Sequence, residues 1–379
     1  MNFEFSEEQK MLRTTVNRFA RKEVEPITEE LDEKDEFSFP LMRRMGELGF
    51  LGLQFPEKYG GSGAGIMDAC IFVEEMGRVN SGIAASAMAH TNLALMPVAV
   101  FGTGEQKKKY LVPGIRGEKI GAFGLTEPDA GSDVKGIKTF AKKSGGKYII
   151  NGSKTFITNG AVADFLLVAA YTDNSKKYKG ITVFIVERET PGFRVSRRLK
   201  KLGWHASDTA ELFFEDCEVS AESILGEEGS GFINLMKTLH LGRITISAFA
   251  AGIAEAALEK SVKYAKERIA FGQPIGNFQA IRFKLSRMAT EIEAAKTLVY
   301  RAAWAADSGN EDKKLTSMAK LKSSEVCQWV TKEAIQIHGG YGFMMEYPLQ
   351  RYYRDSMIFT IGEGTSEIHE EIIARELGL

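Results

Sequence analysis

Cysteine is scarce in this chain: only Cys70, Cys217 and Cys327 occur among 379 residues. They lie far apart and form no CxxC pair, which argues against a disulfide framework and fits a reducing compartment. Histidine is sparse too, with five residues and no HExxH or mixed His/Cys cluster, so no metal centre is expected. Neither charge is in excess, since 49 Lys and Arg stand against 50 Asp and Glu for a net charge of −1. Nothing in that balance would neutralise a nucleic-acid backbone or bind an anionic membrane surface. Long apolar runs are missing as well. The most apolar stretch, Ile83 to Phe101, is broken by His90, Asn92 and Pro97 and reads as a buried helix, not a membrane span. The first residues, Met1-Asn2-Phe3-Glu4-Phe5-Ser6-Glu7-Glu8, are acidic and amphipathic and lack the basic start and apolar core of a signal peptide. A cytoplasmic location is expected. There is no internal repeat and no low-complexity segment.

What is present is ordinary globular material, 44% hydrophobic and 26% charged, long enough for two or three domains. Residues 1–118 read as a helical domain. Ser6 followed by Gln9 has the pattern of a capping box, and Met11, Leu12, Val16 and Phe19 recur at helical spacing. Pro26, Pro40 and Pro56 punctuate the segment. Gly60-Gly61-Ser62-Gly63-Ala64-Gly65 is a flexible loop without the GxGxxG spacing of a dinucleotide-binding turn. Over 119–226 the period changes to that of strands. Lys147 to Ile150, then Asn151-Gly152, then Ser153 to Thr158 predicts a hairpin, because Asn-Gly supplies the positive φ angles of a two-residue turn. Phe165 to Ala170, Ile181 to Val186 and Ala210 to Phe214 are further β-type runs, giving a small antiparallel domain. Over 227–379 helices return. Ala248 to Arg268, Ala280 to Ala306 and Leu315 to Ile337 have the lengths of a bundle. The fold class is α+β, ordered helical, β, helical.

Five segments carry candidate chemistry. Leu125-Thr126-Glu127-Pro128-Asp129-Ala130-Gly131-Ser132-Asp133 is a tight irregular loop. Its hydroxyls and N–H groups could converge on an anionic or heteroaromatic ligand, or it is an ordinary loop. Phe156-Ile157-Thr158-Asn159-Gly160 ends a strand with an aromatic beside a hydroxyl, suited to a flat ring system or to simple core packing. Arg268 with Phe271 and Gly272 offers a guanidinium for a phosphate, or marks a surface helix end. Gln336-Ile337-His338-Gly339-Gly340-Tyr341-Gly342 joins polar side chains to glycines. A helix C-cap explains the glycines but not the polar residues before them. Last comes Ile361-Gly362-Glu363-Gly364-Thr365-Ser366-Glu367-Ile368. A carboxylate between two glycines allows close backbone or ligand approach. In a desolvated cleft Glu363 would have a raised pKa and act as a base; otherwise it is a solvated turn residue before a capped helix.

Together these segments resemble the acyl-CoA dehydrogenase family, through the whole chain and in the right order. Leu125 to Asp133 is similar to the first family signature. Gln336 to Gly342, followed by Glu346-Tyr347-Pro348 and Arg354-Asp355, is similar to the second, and Glu363 to Ile368 to the segment with the catalytic base. The resemblance implies an N-terminal helical domain, a central antiparallel, β-barrel-like domain and a C-terminal four-helix bundle. It also implies an FAD site. Phe123, Leu125, Thr126, Gly131 and Ser132 would flank the isoalloxazine and pyrophosphate. Phe156 stands where relatives often have a tryptophan against the flavin, with Ile157 beside it and Thr158 bonded to N5. Arg268, Phe271 and Gln279 would reach the FAD of a neighbouring subunit, as would Gln336, Ile337, His338, Gly339 and Gly340. Thr365, Ser366 and Glu367 would present a helix N-terminus to the adenosine diphosphate part. A cofactor shared in this way implies a homotetramer, a dimer of dimers.

In this family a carboxylate removes the pro-R α-proton of an acyl-CoA thioester, a hydride passes from Cβ to flavin N5, and a trans-2-enoyl-CoA forms. Electrons then pass to electron-transferring flavoprotein, and the pathway implied is fatty acid β-oxidation. The resemblance assigns the base to Glu363. The alternative family position, in Leu239-His240-Leu241-Gly242-Arg243, holds Gly242, which cannot act as a base. Arg243 would orient the base, or form a salt bridge within the bundle. Ser132, His240, Arg243 and Gly364 are expected to line the substrate site. Two departures stand out. His240 replaces an aspartate that contacts the pantetheine arm, and Gly362 replaces a tyrosine frequent in straight-chain enzymes. The latter predicts tolerance of branched or bulkier acyl groups. Oxidase or reductase chemistry on the same scaffold stays open, as do, more remotely, a nucleic-acid-binding flavoprotein and an inert scaffold.

Overall fold

The computed structural model describes residues 4–379, so the start of the acidic N-terminal stretch, Met1-Asn2-Phe3, lies outside the described residues. Helix α1, Glu7–Phe19, begins with the expected capping box: Ser6 Oγ accepts from Gln9 N at 3.2 Å and Ser6 N donates to Gln9 Oε1 at 3.1 Å. Two apolar helices follow, α2 at Ile66–Gly77 and a continuous helical run α3 at Ser81–Phe101. Most of α3 is buried inside the protein, as the apolar stretch predicted. Its polar interruptions are its attachments. His90 Nε2 pairs with Gly114 O at 3.0 Å and Nδ1 accepts from Gly121 N at 2.9 Å. Burial pushes this imidazole down to about 4, so it bridges helix and sheet in the neutral form. Asn92 accepts from Gln54 at 2.8 Å and donates to Thr245 at 2.7 Å. Before Pro97, Ala89–Leu95 widens into π-helical turns, which accommodate a residue that lacks an N–H and crowds the preceding turn.

The middle of the chain forms one seven-stranded sheet. Its strands are β1 Gly121–Gly124, β2 Phe140–Ser144, β3 Lys147–Thr158, β4 Phe165–Tyr171, β5 Ile181–Glu187, β6 Phe193–Arg198 and β7 Thr209–Ser220. The order is β1-β4-β2-β3-β7-β6, with β5 also paired to β4. Pairing is mainly antiparallel, as expected, but β1 runs parallel to β4 from Gly121↔Phe165 to Gly124↔Val168. The β2–β3 hairpin lies between these two strands in sequence, and a long connection of that kind permits parallel pairing. Every residue of β4 is buried. Phe165, Leu167 and Ala169 pack with Leu95 and Leu111 from the helical domain, while Leu166, Val168 and Ala170 face Tyr148, Phe184 and Leu212. Two covered faces explain a continuous apolar run without alternation.

The hairpin expected at Asn151-Gly152 is not there. Lys147 to Thr158 is a single strand, and the turn is Gly145-Gly146, with φ of 53° and 81°, between β2 and β3. Asn151-Gly152 is instead a bulge where the β3/β7 register shifts. Asn151 Oδ1 accepts from Asp216 N at 2.8 Å and its Nδ2 donates to Asp216 Oδ1 at 3.1 Å. A Cβ on Gly152 would collide with Thr139. A glycine that admits a close neighbour inside a strand carries the same dipeptide signal as one that turns the chain.

The main C-terminal helices are α4 Gly231–Glu267, α5 Gln279–Asp307, α6 Lys313–His338 and α7 Ser366–Glu376, with two short helices, Gly340–Phe343 and Leu349–Ser356, between α6 and α7. Helix α4 begins 17 residues before the expected Ala248 (248 − 231). Its internal glycines are packing sites, not breaks: a Cβ on Gly252 would strike the main chain of Glu74 in α2. That junction also carries buried charge. Glu74 accepts from Lys296 Nζ at 2.9 Å and Tyr300 OH at 2.5 Å, and Arg78 reaches Glu255 at 2.7 Å and Glu259 at 2.6 Å. Buried charges persist only when paired in this way.

Candidate active site

The Glu363 segment is held by helix α6. Lys320, Ser324 and Gln328 recur every four residues and so share one face. They meet the carbonyl groups of the segment before α7. Lys320 Nζ donates to Phe359 O at 2.5 Å and Gly364 O at 2.6 Å. Ser324 Oγ donates to Phe359 O at 2.9 Å, and Gln328 Nε2 to Thr360 Oγ1 at 2.9 Å. From α4, Arg243 Nε donates to Glu363 O at 3.1 Å. Glu363 and Gly364 have φ of 55° and 107°, and left-handed backbone of this kind survives at a non-glycine residue only when its surroundings hold it. Thr365 then caps α7, its side chain accepting from Ile368 N at 3.4 Å.

Both carboxylate oxygens of Glu363 are buried and neither has a hydrogen-bond partner. Burial pushes the group up to about 7, against the opposing charges of Arg243 and Lys320. Glu363 is therefore a desolvated carboxyl poised near neutrality, not a solvated turn residue. Gly242 faces it: a Cβ there would sit 2.7 Å from Glu363 Oε2. The absence of a side chain at position 242 is thus what makes room for the Glu363 carboxylate. Arg243 sits beside Glu363 and reaches it through the main-chain carbonyl. His369, also buried, has no partner on either ring nitrogen, and burial pushes it down to about 3. His240, two residues before Gly242, is buried, with Thr316 Oγ1 3.5 Å from its Nε2.

The loop Leu125 to Asp133 is pinned to β3. Glu127 accepts from Lys138 N at 2.6 Å, Thr139 N at 3.0 Å and the buried Lys154 Nζ at 2.7 Å. Lys154 also donates to Leu125 O at 3.1 Å, and Thr155 N to Thr126 O at 2.9 Å. Gly131 and Ser132 are exposed at the tip, while Leu125 is buried and Phe123 half-buried. Phe156 is not core. It lies where the β3/β7 register shifts, at φ 58°, with 69% of its surface exposed. Thr158 beside it is half-buried, and Ile157 packs inward.

A third group is remote from Glu363. Arg268 follows the end of α4, Phe271 is 95% exposed, Gln279 opens α5, and Gln336, Gly339 and Gly340 are exposed at the end of α6. Ile337 and His338 are buried, the imidazole stacked on Tyr264 at 4.3 Å. Arg243 lies 24 residues before Glu267, the last residue of α4 that Arg268 follows (267 − 243), roughly 36 Å at 1.5 Å per residue. One chain therefore does not bring this group to Glu363. Thr365 is half-buried and Glu367 exposed at the N-terminus of α7, with Ser366 between them.

Sequence reasoning missed Lys320, Ser324, Gln328 and His369. The available signal was Lys320 itself, a charged residue in the buried stripe Thr316, Ala319, Ser323 and Cys327 of α6.

The N-terminal, middle and C-terminal domain descriptions of acyl-CoA dehydrogenase match residues 6–118, 122–217 and 229–378. The chain belongs to the acyl-CoA dehydrogenase family and is an oxidoreductase of that class. It is 46% identical over 378 residues to a probable acyl-CoA dehydrogenase of Bacillus subtilis, covering 100% of both chains. It is 44% identical over 372 residues to the caffeyl-CoA reductase-Etf complex subunit of Acetobacterium woodii, covering 98% of each. Among solved structures it resembles butyryl-CoA dehydrogenase from Megasphaera elsdenii, with TM-score 0.97, 44% identity and full coverage of both chains.

Proposed function

We propose that this chain carries out the α,β-dehydrogenation of an acyl-CoA thioester, with Glu363 removing the α-proton. The observation that carries this reading is the Glu363 carboxyl, buried, unpartnered and pushed up to about 7. An α-proton beside a thioester is a weak acid, and a base with a pKa near working pH combines the ionised form with useful basicity. The acyl chain would complete the exclusion of water around it. Arg243 and Lys320 hold the segment so that the carboxylate meets substrate in one orientation.

The residues fit FAD. Phe156 offers an exposed aromatic face next to the Thr158 hydroxyl, and the Glu127-anchored loop leaves Gly131 and Ser132 free at its tip. When bound, FAD supplies the acceptor for the β-hydride. Arg268, Phe271, Gln279 and the Gln336 to Gly340 turn would serve the cofactor of a second copy, which fits their distance from Glu363. Phe271, Phe343 and Met345 are exposed apolar residues in that part of the chain, suited to burial in a homotetramer. The Acetobacterium woodii relative supports electron-transferring flavoprotein as electron partner. It also favours a second reading, reduction of an enoyl-CoA by the reverse of the same chemistry. Position 362 supports a roomy acyl site, since a Cβ there would meet nothing closer than Ile358 O at 3.5 Å.

Anaerobic bleaching of the flavin by a panel of acyl-CoA thioesters tests the reading. Bleaching in the wild type and its loss in a flavin-replete Glu363→Gln variant are expected. Persistent bleaching in the variant overturns the assignment of the base. Failure of every acyl-CoA, with reoxidation of the reduced protein by an enoyl-CoA, selects the reductive direction.

A further inference from the structure

The least expected group near Glu363 is the ammonium of Lys320. The residue is fully buried, and both its hydrogen bonds go to main-chain carbonyls, not to a carboxylate. Carbonyls alone do not require a cation. One turn and two turns further along the same face of α6, Ser324 and Gln328 bind the same segment as neutral donors. A buried charge without a contacting counterion is unfavourable, and here burial pushes Lys320 down to about 8. Its two acceptors lie on either side of Glu363, at positions 359 and 364. The charged and titratable groups around the segment are Arg243 on α4, Lys320 on α6, and Glu363, Glu367 and His369 on the terminal segment and α7. Arg243 and Lys320 are the cations there, and His369 is held neutral.

We propose that Lys320 is a positioning residue for the base: it clamps the segment by joining the carbonyls of Phe359 and Gly364, and its charge keeps the buried Glu363 carboxylate ionised enough to take the α-proton. Neither part is supplied by Ser324 or Gln328, which hold the segment without charge. Removing the ammonium leaves Glu363 in the same desolvated place with Arg243 as its remaining cation, and the carboxyl becomes harder to ionise. This rests on Glu363 being the base, but the electrostatic link between the two residues can be measured without turnover.

The test compares Lys320→Gln, which keeps a donor but not the charge, Lys320→Arg, which keeps the charge, and Ser324→Ala, which removes a hydrogen bond but no charge. The first measurement is an infrared titration of the protonated-carboxyl stretch of Glu363, assigned as the band lost in Glu363→Gln. Lys320→Gln should move that titration up by about one pH unit, the scale expected for losing a nearby opposite charge. Lys320→Arg and Ser324→Ala should leave it near the wild-type position. The second measurement is the pH profile of kcat/KM. Its acid limb should move with the infrared titration in Lys320→Gln, with kcat at pH 7 falling about fivefold as the ionised fraction drops and KM changing less. An unmoved carboxyl titration in folded Lys320→Gln overturns the proposal. So does a shift of equal size in Ser324→Ala, which would assign the effect to packing. Should Lys320→Gln not fold, Lys320→Met removes the charge together with the donor, and its carboxyl titration is read against Ser324→Ala, with an unmoved titration overturning the proposal in the same way. A shifted infrared titration in a protein that bleaches with no acyl-CoA and is reoxidised by no enoyl-CoA would overturn the assigned reaction and leave the Lys320–Glu363 link standing.

Discussion

Replacing Gly242 with alanine separates the geometry of the Glu363 carboxylate from the stability of the fold. The new Cβ would lie 2.7 Å from Glu363 Oε2, 3.4 Å from its Cδ and 3.5 Å from Oε1. Favourable contacts between heavy atoms lie at about 3.5 to 4.0 Å, so the carboxylate must retreat by roughly half an ångström or more. The atom displaced is the end of a flexible side chain, and an off-rotamer adjustment costs on the order of 0.5 to 1.5 kcal/mol. Alanine inside a helix recovers about 0.5 to 1 kcal/mol relative to glycine. The two nearly cancel, so Tm should stay close to that of the wild type. Catalysis has no such compensation, because a misplacement of about 1 Å can reduce rate by on the order of a hundredfold. We expect kcat for the best acyl-CoA to fall ten- to a hundredfold with flavin content unchanged. Stopped-flow bleaching gives the rate, and differential scanning fluorimetry gives Tm. In a Glu363→Ala background the clash is gone, and the same Gly242→Ala change should raise Tm; the difference is the coupling between the two positions. A Gly242→Ala enzyme with wild-type kcat and Tm would refute the view that position 242 is kept empty for the base.

Two further outcomes follow from the same geometry. Glu363 is raised from 4.5 to about 7, so its contribution to folding stability is fully present below about pH 4.5 and is lost as pH rises through 7. That rise corresponds to about 3 kcal/mol, so Glu363→Gln should match the wild type at pH 4.5 and exceed it by up to that amount at pH 8.5, read from paired denaturation curves; equal stability at both values would show that the carboxylate is not desolvated. Gly362→Tyr should fold, since a Cβ at that position meets nothing closer than 3.5 Å. It should lower kcat/KM for isobutyryl- and isovaleryl-CoA relative to butyryl-CoA by on the order of tenfold, the scale of a pocket excluding a branch; an unchanged ratio would remove Gly362 from the acyl site.

Much of the site was legible because its signals are local. Glu363 between glycines, the Pro128 and Gly131 loop and the glycines after His338 are contiguous stretches whose residue types constrain their own backbone. The apolar α3 and the capping box of α1 could be read for the same reason, since burial pattern and cap geometry depend on neighbours three or four positions away. The errors arose where one local signal serves two structures. Asn151-Gly152 has the positive-φ preference of a turn, yet pairing with Asp216 and close approach to Thr139 make it a bulge. The helix around Gly242 was read as starting at Ala248, whereas it begins at Gly231.

Taken alone, the sequence determined the three-part order of the chain and the identity of the candidate base, because helical and strand periodicity and short motifs are written within a few residues of one another. Only the tertiary structure decided that Gly242 faces Glu363 from 121 positions away (363 − 242), that Arg243 holds its carbonyl, and that Lys320 joins the residues on either side. These contacts depend on the packing of α4 and α6 against the terminal segment. No local pattern encodes the distance between groups that meet only when separate helices are packed, and that distance sets both the desolvation and the orientation of the carboxylate.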